Sequence, residues 1–144
     1  MTLFDLAQRL VGEIHERPGQ ADHPFILWCL ESTPLAGTLH DEIPWCSSWL
    51  NRLAWFFRLP RSKSAAARSW LEVGIPVPLT HAFAAWDIVV FSRGTDPRAG
   101  HVAVFVGLEG DHVRVIGGNQ SNGIASALFP MSSVLGVRRL REAA

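Results

Sequence analysis

Cysteine and histidine are the side chains of this sequence whose types and spacing point to covalent chemistry. The chain of 144 residues holds two cysteines, Cys29 and Cys46, and six histidines. Cys46 stands two residues after Pro44 in the run Pro44-Trp45-Cys46-Ser47-Ser48-Trp49-Leu50-Asn51-Arg52-Leu53-Ala54-Trp55-Phe56-Phe57. Proline suits the start of a helix, where its missing N–H leaves nothing unpaired. Leu50, Leu53, Ala54 and Phe57 follow Cys46 at helical offsets, so the thiol shares the inward apolar face. A lone cysteine in such a place is ordinarily apolar filling. In a first helical turn, however, it also lies beside unpaired N–H groups and the positive end of the dipole, and both favour a thiolate. On that reading Cys46 is a nucleophile.

A thiol nucleophile needs a base, and imidazole is the usual one. His15, His23, His40, His81 and His112 fall on helix ends, loops or a turn edge, where solvated histidines are the rule. His101 instead follows Gly100 and opens the apolar run Val102-Ala103-Val104-Phe105-Val106. A polar ring there either marks the wet end of a strand or has a task. The segment Gly117-Gly118-Asn119-Gln120-Ser121-Asn122 ends the next strand, so an amide from it can lie beside His101 and orient the ring. Alternation along a strand points Asn119 and Gln120 to opposite faces, so at most one of them meets the imidazole.

The elements that must position these groups fall into two halves. Leu3, Phe4, Leu6, Ala7, Leu10, Val11 and Ile14 are spaced three and four apart behind Thr2 and predict an amphipathic helix that Pro18-Gly19 ends. Pro24 opens a second short helix through Leu30, and Pro44 opens the third, which carries Cys46 and stops at Pro60. Ser64 is placed to cap a fourth, Ala65 to Leu71, ended by Gly74 and Pro76. From Asp87 the pattern turns β-branched: Ile88 to Phe91, His101 to Val106 and His112 to Ile116, with Glu109-Gly110-Asp111 turning the second into the third and Val134 to Leu140 closing the chain as a strand. Helices first and an antiparallel sheet second predict a single α+β domain over 1–144.

Composition narrows the function. With 48% hydrophobic residues a packed core is expected, and thirteen basic against thirteen acidic side chains leave no field to draw the chain onto nucleic acid. Two cysteines build no disulfide framework. Asp5, Gln8, Arg9 and Glu13 interrupt the first apolar stretch, so no Sec signal peptide is read, and no apolar run reaches the roughly 18 residues of a membrane-spanning helix. The expectation is synthesis in the cytoplasm and, for any action outside it, delivery by another route. His40, Asp41 and Glu42 are adjacent and diverge, with no distant fourth ligand, so neither metal nor cofactor is expected. Trp45 and Trp49, one helical turn apart, are expected to flank a cleft and contact substrate, with Asp41 at its entrance and Gln120 beside it; the alternative for the tryptophans is the core.

Pro44-Trp45-Cys46, Ala67-Arg68-Ser69-Trp70-Leu71, Asp87-Ile88-Val89-Val90-Phe91, Gly100-His101-Val102 and Gly117-Gly118-Asn119-Gln120-Ser121-Asn122 occur in this order. The series resembles the papain-like NlpC/P60 and CHAP cysteine peptidases and amidases, especially a small group borne by phages and bacteria. The resemblance implies a papain-like fold with N-terminal helices on a C-terminal antiparallel sheet, and hydrolysis of an amide in peptidoglycan stem peptide, for cell lysis or as an antibacterial toxin. It places the nucleophile on Cys46, the base on His101 and the ring-orienting residue on Asn119, with Gln120 as the competitor. Peptidoglycan fragments are the implied partner, and a cognate inhibitor or immunity protein would accompany a toxin. Ala84-Ala85-Trp86-Asp87 and Ala103 depart from the family's Pro-x-x-Gly-Asp and from its glycine after Gly-His-Val. Two alternatives stand beside hydrolysis: thioester chemistry serving an acyltransferase or deamidase, and a non-catalytic wall-binding module.

Overall fold

A computed structural model describes residues 1–14, 23–33, 45–120 and 123–142, with the backbone but not the side chain of Asn119. Three helices precede a sheet, as the change of pattern near Asp87 requires. Helix α1 (Leu3–Leu10) begins at a reciprocal cap, in which the Asp5 N–H donates to Thr2 Oγ1 at 3.2 Å and the Thr2 N–H donates to Asp5 Oδ2 at 2.7 Å. It ends earlier than its apolar spacing predicts, because Gly12 turns the chain at φ 78° and Gly12 N–H bonds Ile124 O. Helix α2 (Pro24–Leu30) has Pro24 in its first turn and His23 as its cap. Helix α3 (Cys46–Phe56) carries the candidate nucleophile at its first residue.

The predicted fourth helix is a 3-10 helix over Ala67–Glu72. Ser64 does not cap it: its hydroxyl accepts from the Ala66 N–H at 3.1 Å, before the helix begins. Six strands follow, β1 (Ile75–Val77), β2 (Asp87–Ser92), β3 (Gly100–Glu109), β4 (His112–Gln120), β5 (Gly123–Pro130) and β6 (Val134–Arg139), in the antiparallel order β1-β6-β2-β3-β4-β5. The architecture is α+β. Strands β1 and β5 are additions to the sequence reading. Pro76 and the small, half-exposed residues of β5 give them little β-branched signal.

The sheet divides the core in two. Ile88, Val90, Val102, Val104, Ile116 and Ile124 face the helices together with Cys46, Trp49, Leu50 and Trp70. Val89, Phe91, Ala103, Phe105, Val113, Val115 and Val137 form a second cluster. The alternation of 102, 103, 104 and 105 between the clusters is the period of two expected of a strand buried on both faces. At the edge of the helical half, Asp87 is fully buried and forms a two-pronged ion pair with Arg139, at 2.8 Å to Nε and 2.9 Å to Nη2. That pair clamps the start of β2 to the end of β6. Among the described residues no helix is long and apolar enough to cross a membrane.

Candidate functional site

A buried polar network holds the first turn of α3. Trp70 Nε1 donates to Ser47 Oγ at 2.9 Å, and that hydroxyl donates to Ser64 O at 2.6 Å. Asn51 Nδ2 donates to Ser47 O at 3.0 Å and to Ser62 Oγ at 3.1 Å, while Asn51 Oδ1 accepts from the Lys63 N–H at 2.8 Å. Ser48 Oγ shares a 2.7 Å bond with Thr33 Oγ1. Buried groups of this kind hold position because leaving one unpaired costs about 1–3 kcal/mol. Ser47, Ser48 and Asn51 were legible only as polar interruptions of an apolar helix. Their register, one, two and five residues after Cys46, is the signal that was there to find.

This network presents Cys46 to the start of β3. The thiol is 7% exposed and packs in the helix-side core. The backbone N–H of Val102 bonds the sulfur, and the N–H groups of Ser47 and Cys46 lie beside it; these and the Arg93 charge pull its pKa down. Burial is the larger influence, and the net result is a thiol raised above its ordinary range. The expectation of a helix-stabilised thiolate is therefore overturned in direction, since desolvation outweighs the first-turn N–H groups. Cys29 is fully buried among apolar neighbours, and desolvation raises its pKa against a smaller opposing pull from the Arg52 charge.

His101 is 1% exposed and lies on the other face of β3. Its ring joins a cluster with Phe91, opposite it on β2, and Phe129 of β5, at centroid distances of 6.4 and 5.2 Å, and the two phenylalanines stack on each other at 4.7 Å. Its Nε2 is 2.8 Å from Gln120 Oε1. The Gln120 amide nitrogen donates to the Ala125 carbonyl, which can only accept, so Oε1 must face the ring and receive a proton from Nε2. That places the hydrogen on Nε2 and leaves Nδ1 as the free lone pair. Nδ1 is buried with no hydrogen-bond partner among the described residues. Burial, and secondarily the charge of Arg93, lower the ring's pKa from 6.5 to about 4 against the opposing bond to Gln120, so the imidazole is neutral at neutral pH.

Of the two amides weighed from sequence, Gln120 is the one in contact with the ring. Continuing the ladder from Val104↔Ile116 would place Asn119 across from His101. An extra residue in β4 between Gly117 and Gln120, seen as a shift in its pairing with β5, turns Gln120 to the His101 face instead. With both ends of its amide engaged and 6% exposure, Gln120 contacts the ring and offers no open surface, so the expectation that it lies beside a cleft as a substrate contact is corrected. The Asn119 side chain and Asp41 lie outside the described residues. Trp45 and Trp49 are fully buried, so the expectation that they flank an open cleft is corrected: Trp45 packs flat on Gly118, where a Cβ would come within 2.5 Å of its ring, and Trp49 lies beside it. These tryptophans set the distance between α3 and β4.

The structure joins His101 to Gln120 and Cys46 to Val102, but no hydrogen bond joins sulfur to imidazole. The two are separated by the peptide from His101 to Val102, whose N–H the sulfur receives. Arg93, which sequence reasoning passed over, influences both. Among the described residues no group of three His, Cys, Asp or Glu is placed to hold a metal. A depression of about 490 Å³ lined by Trp55, Phe56, Arg58, Leu59 and Arg61 lies at the far end of α3 from Cys46 and takes no part in this arrangement.

No protein-family model matches the chain. No curated protein matches it either. A solved structure described as Ly7917 with the hydrolyzing product of MDP aligns with a TM-score of 0.44 and 13% identity, over 96% of this chain and 61% of that one. The present chain thus spans about 61% of that protein's length, and a likeness at this level adds nothing to the architecture described above.

Proposed function

We propose that the protein is a papain-like cysteine hydrolase that cleaves an amide bond in peptidoglycan stem peptide. The observation that carries the chemistry is the lone pair on His101 Nδ1, buried and unpartnered among the described residues because Nε2 holds the bond to Gln120, on a ring that burial keeps neutral and in the residue whose following peptide borders the Cys46 sulfur. General-base catalysis starts here from a neutral imidazole and a neutral thiol that stand on opposite faces of β3 without contact, so a rearrangement at the open end of the strand that brings Nδ1 to the sulfur has to precede proton transfer. Nδ1 takes the thiol proton as sulfur attacks the carbonyl carbon, the ring returns that proton to the leaving amine, and water releases the thioester. Catalytic hydrogen bonds in substrate-free enzymes are commonly long and tighten when substrate binds. The N–H groups around the sulfur are suited to the developing oxyanion, where one donor is worth about 3 kcal/mol.

The substrate class rests on the ordered blocks from Pro44 to Asn122 and their resemblance to wall-cleaving amidases. It implies action at the cell wall, and an inhibitor protein where the role is toxic. A second reading has its own support: the raised thiol and the aromatic stack around His101 also suit a binding module that keeps the fold without turnover. Digestion of purified sacculi with wild type and Cys46→Ala, followed by mass spectrometry of the soluble fragments, separates the two. New amine termini with wild type alone support hydrolysis. Identical fragment profiles reject it.

A further inference from the structure

At the C-terminal end of α3 the surface carries three large apolar side chains: Trp28 at 39% exposure, Trp55 at 50% and Phe56 at 60%. Trp28 meets Phe25 and Trp55 at centroid distances of 5.8 and 6.0 Å. Phe56 forms part of the walls of two depressions. The smaller, about 180 Å³, is lined by Leu10, Phe25, Trp28, Leu53 and Phe56, with Arg52 its one charged residue. The larger, about 490 Å³, sets Arg58 and Arg61 beside Trp55 and Phe56. An apolar groove and a cationic hollow thus share one aromatic ridge.

The charge of this end is unbalanced. From 43 to 71 the sequence holds Arg52, Arg58, Arg61, Lys63 and Arg68 and no Asp or Glu, in a chain whose formal charge is zero. None of the ion pairs among the described residues involves Arg58, Arg61 or Lys63. Arg58 and Lys63 both hold φ at 58°, the left-handed region where glycine is the ordinary choice. Arg58 does so just past the end of α3, where the Leu59 N–H bonds back to Ala54 O at 2.8 Å. Two cations therefore occupy positions that glycine would fill with less strain. Arg52 is engaged otherwise: its Nε and Nη2 donate to Trp28 O at 3.1 and 2.7 Å, and its guanidinium lies over the Trp28 and Trp55 rings.

This combination selects the occupant. A sugar brings hydroxyl groups that need partners, and the smaller depression offers hydrocarbon and an arginine whose donors are largely engaged. An acyl chain needs no such partners. Guanidinium groups without a counter-charge suit lipid phosphate, and tryptophan with arginine settles at the boundary between headgroup and hydrocarbon. We propose that this end of α3 docks on an anionic lipid bilayer, with Trp55 and Phe56 at the acyl boundary and Arg58, Arg61 and Lys63 on headgroup phosphates. Cys46 opens the same helix about 15 Å away along its axis, so docking is independent of the hydrolase reading.

Flotation of the whole chain with phosphatidylcholine vesicles, with and without phosphatidylglycerol, at physiological salt tests this. Wild type floats with the anionic vesicles and not with the neutral ones. One basic residue at an anionic surface is worth about fivefold in affinity, so Arg58→Gly with Arg61→Gln weakens binding about 25-fold. Glycine suits the φ of Arg58, and the thermal midpoint of this variant stays at or above that of wild type. Phe56→Ser, at an exposed position, weakens binding by more than tenfold. Arg93→Gln with Arg98→Gln removes equal charge from the loop between β2 and β3 and leaves binding as it was. No flotation with anionic vesicles, or equal losses in the two double variants, overturns the proposal. Binding that ignores Phe56→Ser is adsorption by charge alone and overturns it too. Retention on purified sacculi through these same side chains, without vesicle binding, assigns the surface to a wall polymer and overturns it as well.

Discussion

The neutral state of His101 has a cost that can be measured as stability. The unfolded chain protonates this ring below pH 6.5, whereas the folded chain leaves it neutral until about pH 4. Between those values protons bind the unfolded chain preferentially. The stability contributed by burying the neutral ring is complete above pH 6.5 and is lost as the pH falls to about 4. A separation of that size is worth about 3 kcal/mol, a large part of a small domain's total. His101→Phe keeps an aromatic ring against the stacked pair Phe91 and Phe129 but does not titrate, so it removes this dependence and leaves the carboxylates of the chain to titrate as before. Urea unfolding of both proteins at pH 7, 6, 5 and 4, followed by tryptophan fluorescence, gives the comparison; Trp45, Trp49 and Trp70 are fully buried and report the transition. The variant starts lower because Gln120 Oε1 loses its donor. Wild type then loses about 3 kcal/mol more than the variant on going from pH 7 to pH 4. Parallel losses would show that the ring is already charged or is solvated in the folded chain, and the tautomer assignment would go with it.

Alkylation of Cys46 by iodoacetamide climbs with pH through 9 and beyond, because burial raises the thiol; a plateau reached below pH 7 would show the ion pair that the structure argues against. Gln120→Leu strands the Nε2–H of His101 in the core, and urea unfolding at pH 7 shows a loss of about 1–3 kcal/mol. If the amide also sets the tautomer, hydrolysis of stem peptide by that variant falls by more than tenfold per folded molecule, and unchanged turnover would remove Gln120 from the mechanism. Asp87→Asn leaves Arg139 without its buried counter-charge and lowers stability by about 3 kcal/mol, with no change in the rate of Cys46 alkylation at 25 °C.

The helical half and the strands β2, β3, β4 and β6 were legible because each has a strong period and a marked boundary: the Thr2 cap, Pro24 in a first turn, Pro44 ahead of Cys46, and β-branched runs from Asp87. Strand β5 was not, since Gly123, Ala125, Ser126 and Ala127 have weak strand preference and gain their place by pairing with β4. The 3-10 helix was read as α because composition does not separate the two over so short a stretch. At the site, Cys46, His101 and the pair Asn119 or Gln120 were visible as types at suitable ends of elements. Which amide meets the ring was not, because one extra residue in a strand reverses every side chain beyond it. Nor was the direction of the Cys46 shift: sequence shows the helix terminus, while the depth of burial belongs to the packing around it.

The two halves of the candidate site meet at Gly117-Gly118. A Cβ on Gly117 would lie 2.7 Å from Gln120 Oε1 and 3.0 Å from the Ala103 methyl, on the His101 side of the sheet. A Cβ on Gly118 would lie 2.5 Å from the Trp45 ring and 3.2 Å from Trp49 Cβ, on the Cys46 side. One glycine thus makes room for the amide that orients the base. The next makes room for the aromatic ring that seats the first turn of the nucleophile's helix. Neither has a positive φ, so close approach and not backbone freedom is what demands glycine at both. The same pair borders the shift in β4–β5 pairing that turns Gln120 to the His101 face. A two-residue stretch of β4 therefore sets the distance of Cys46 from one face of the sheet and the proton position of His101 on the other. The separation of sulfur and imidazole across the His101–Val102 peptide is in this sense a property of β4 as much as of the two reactive side chains.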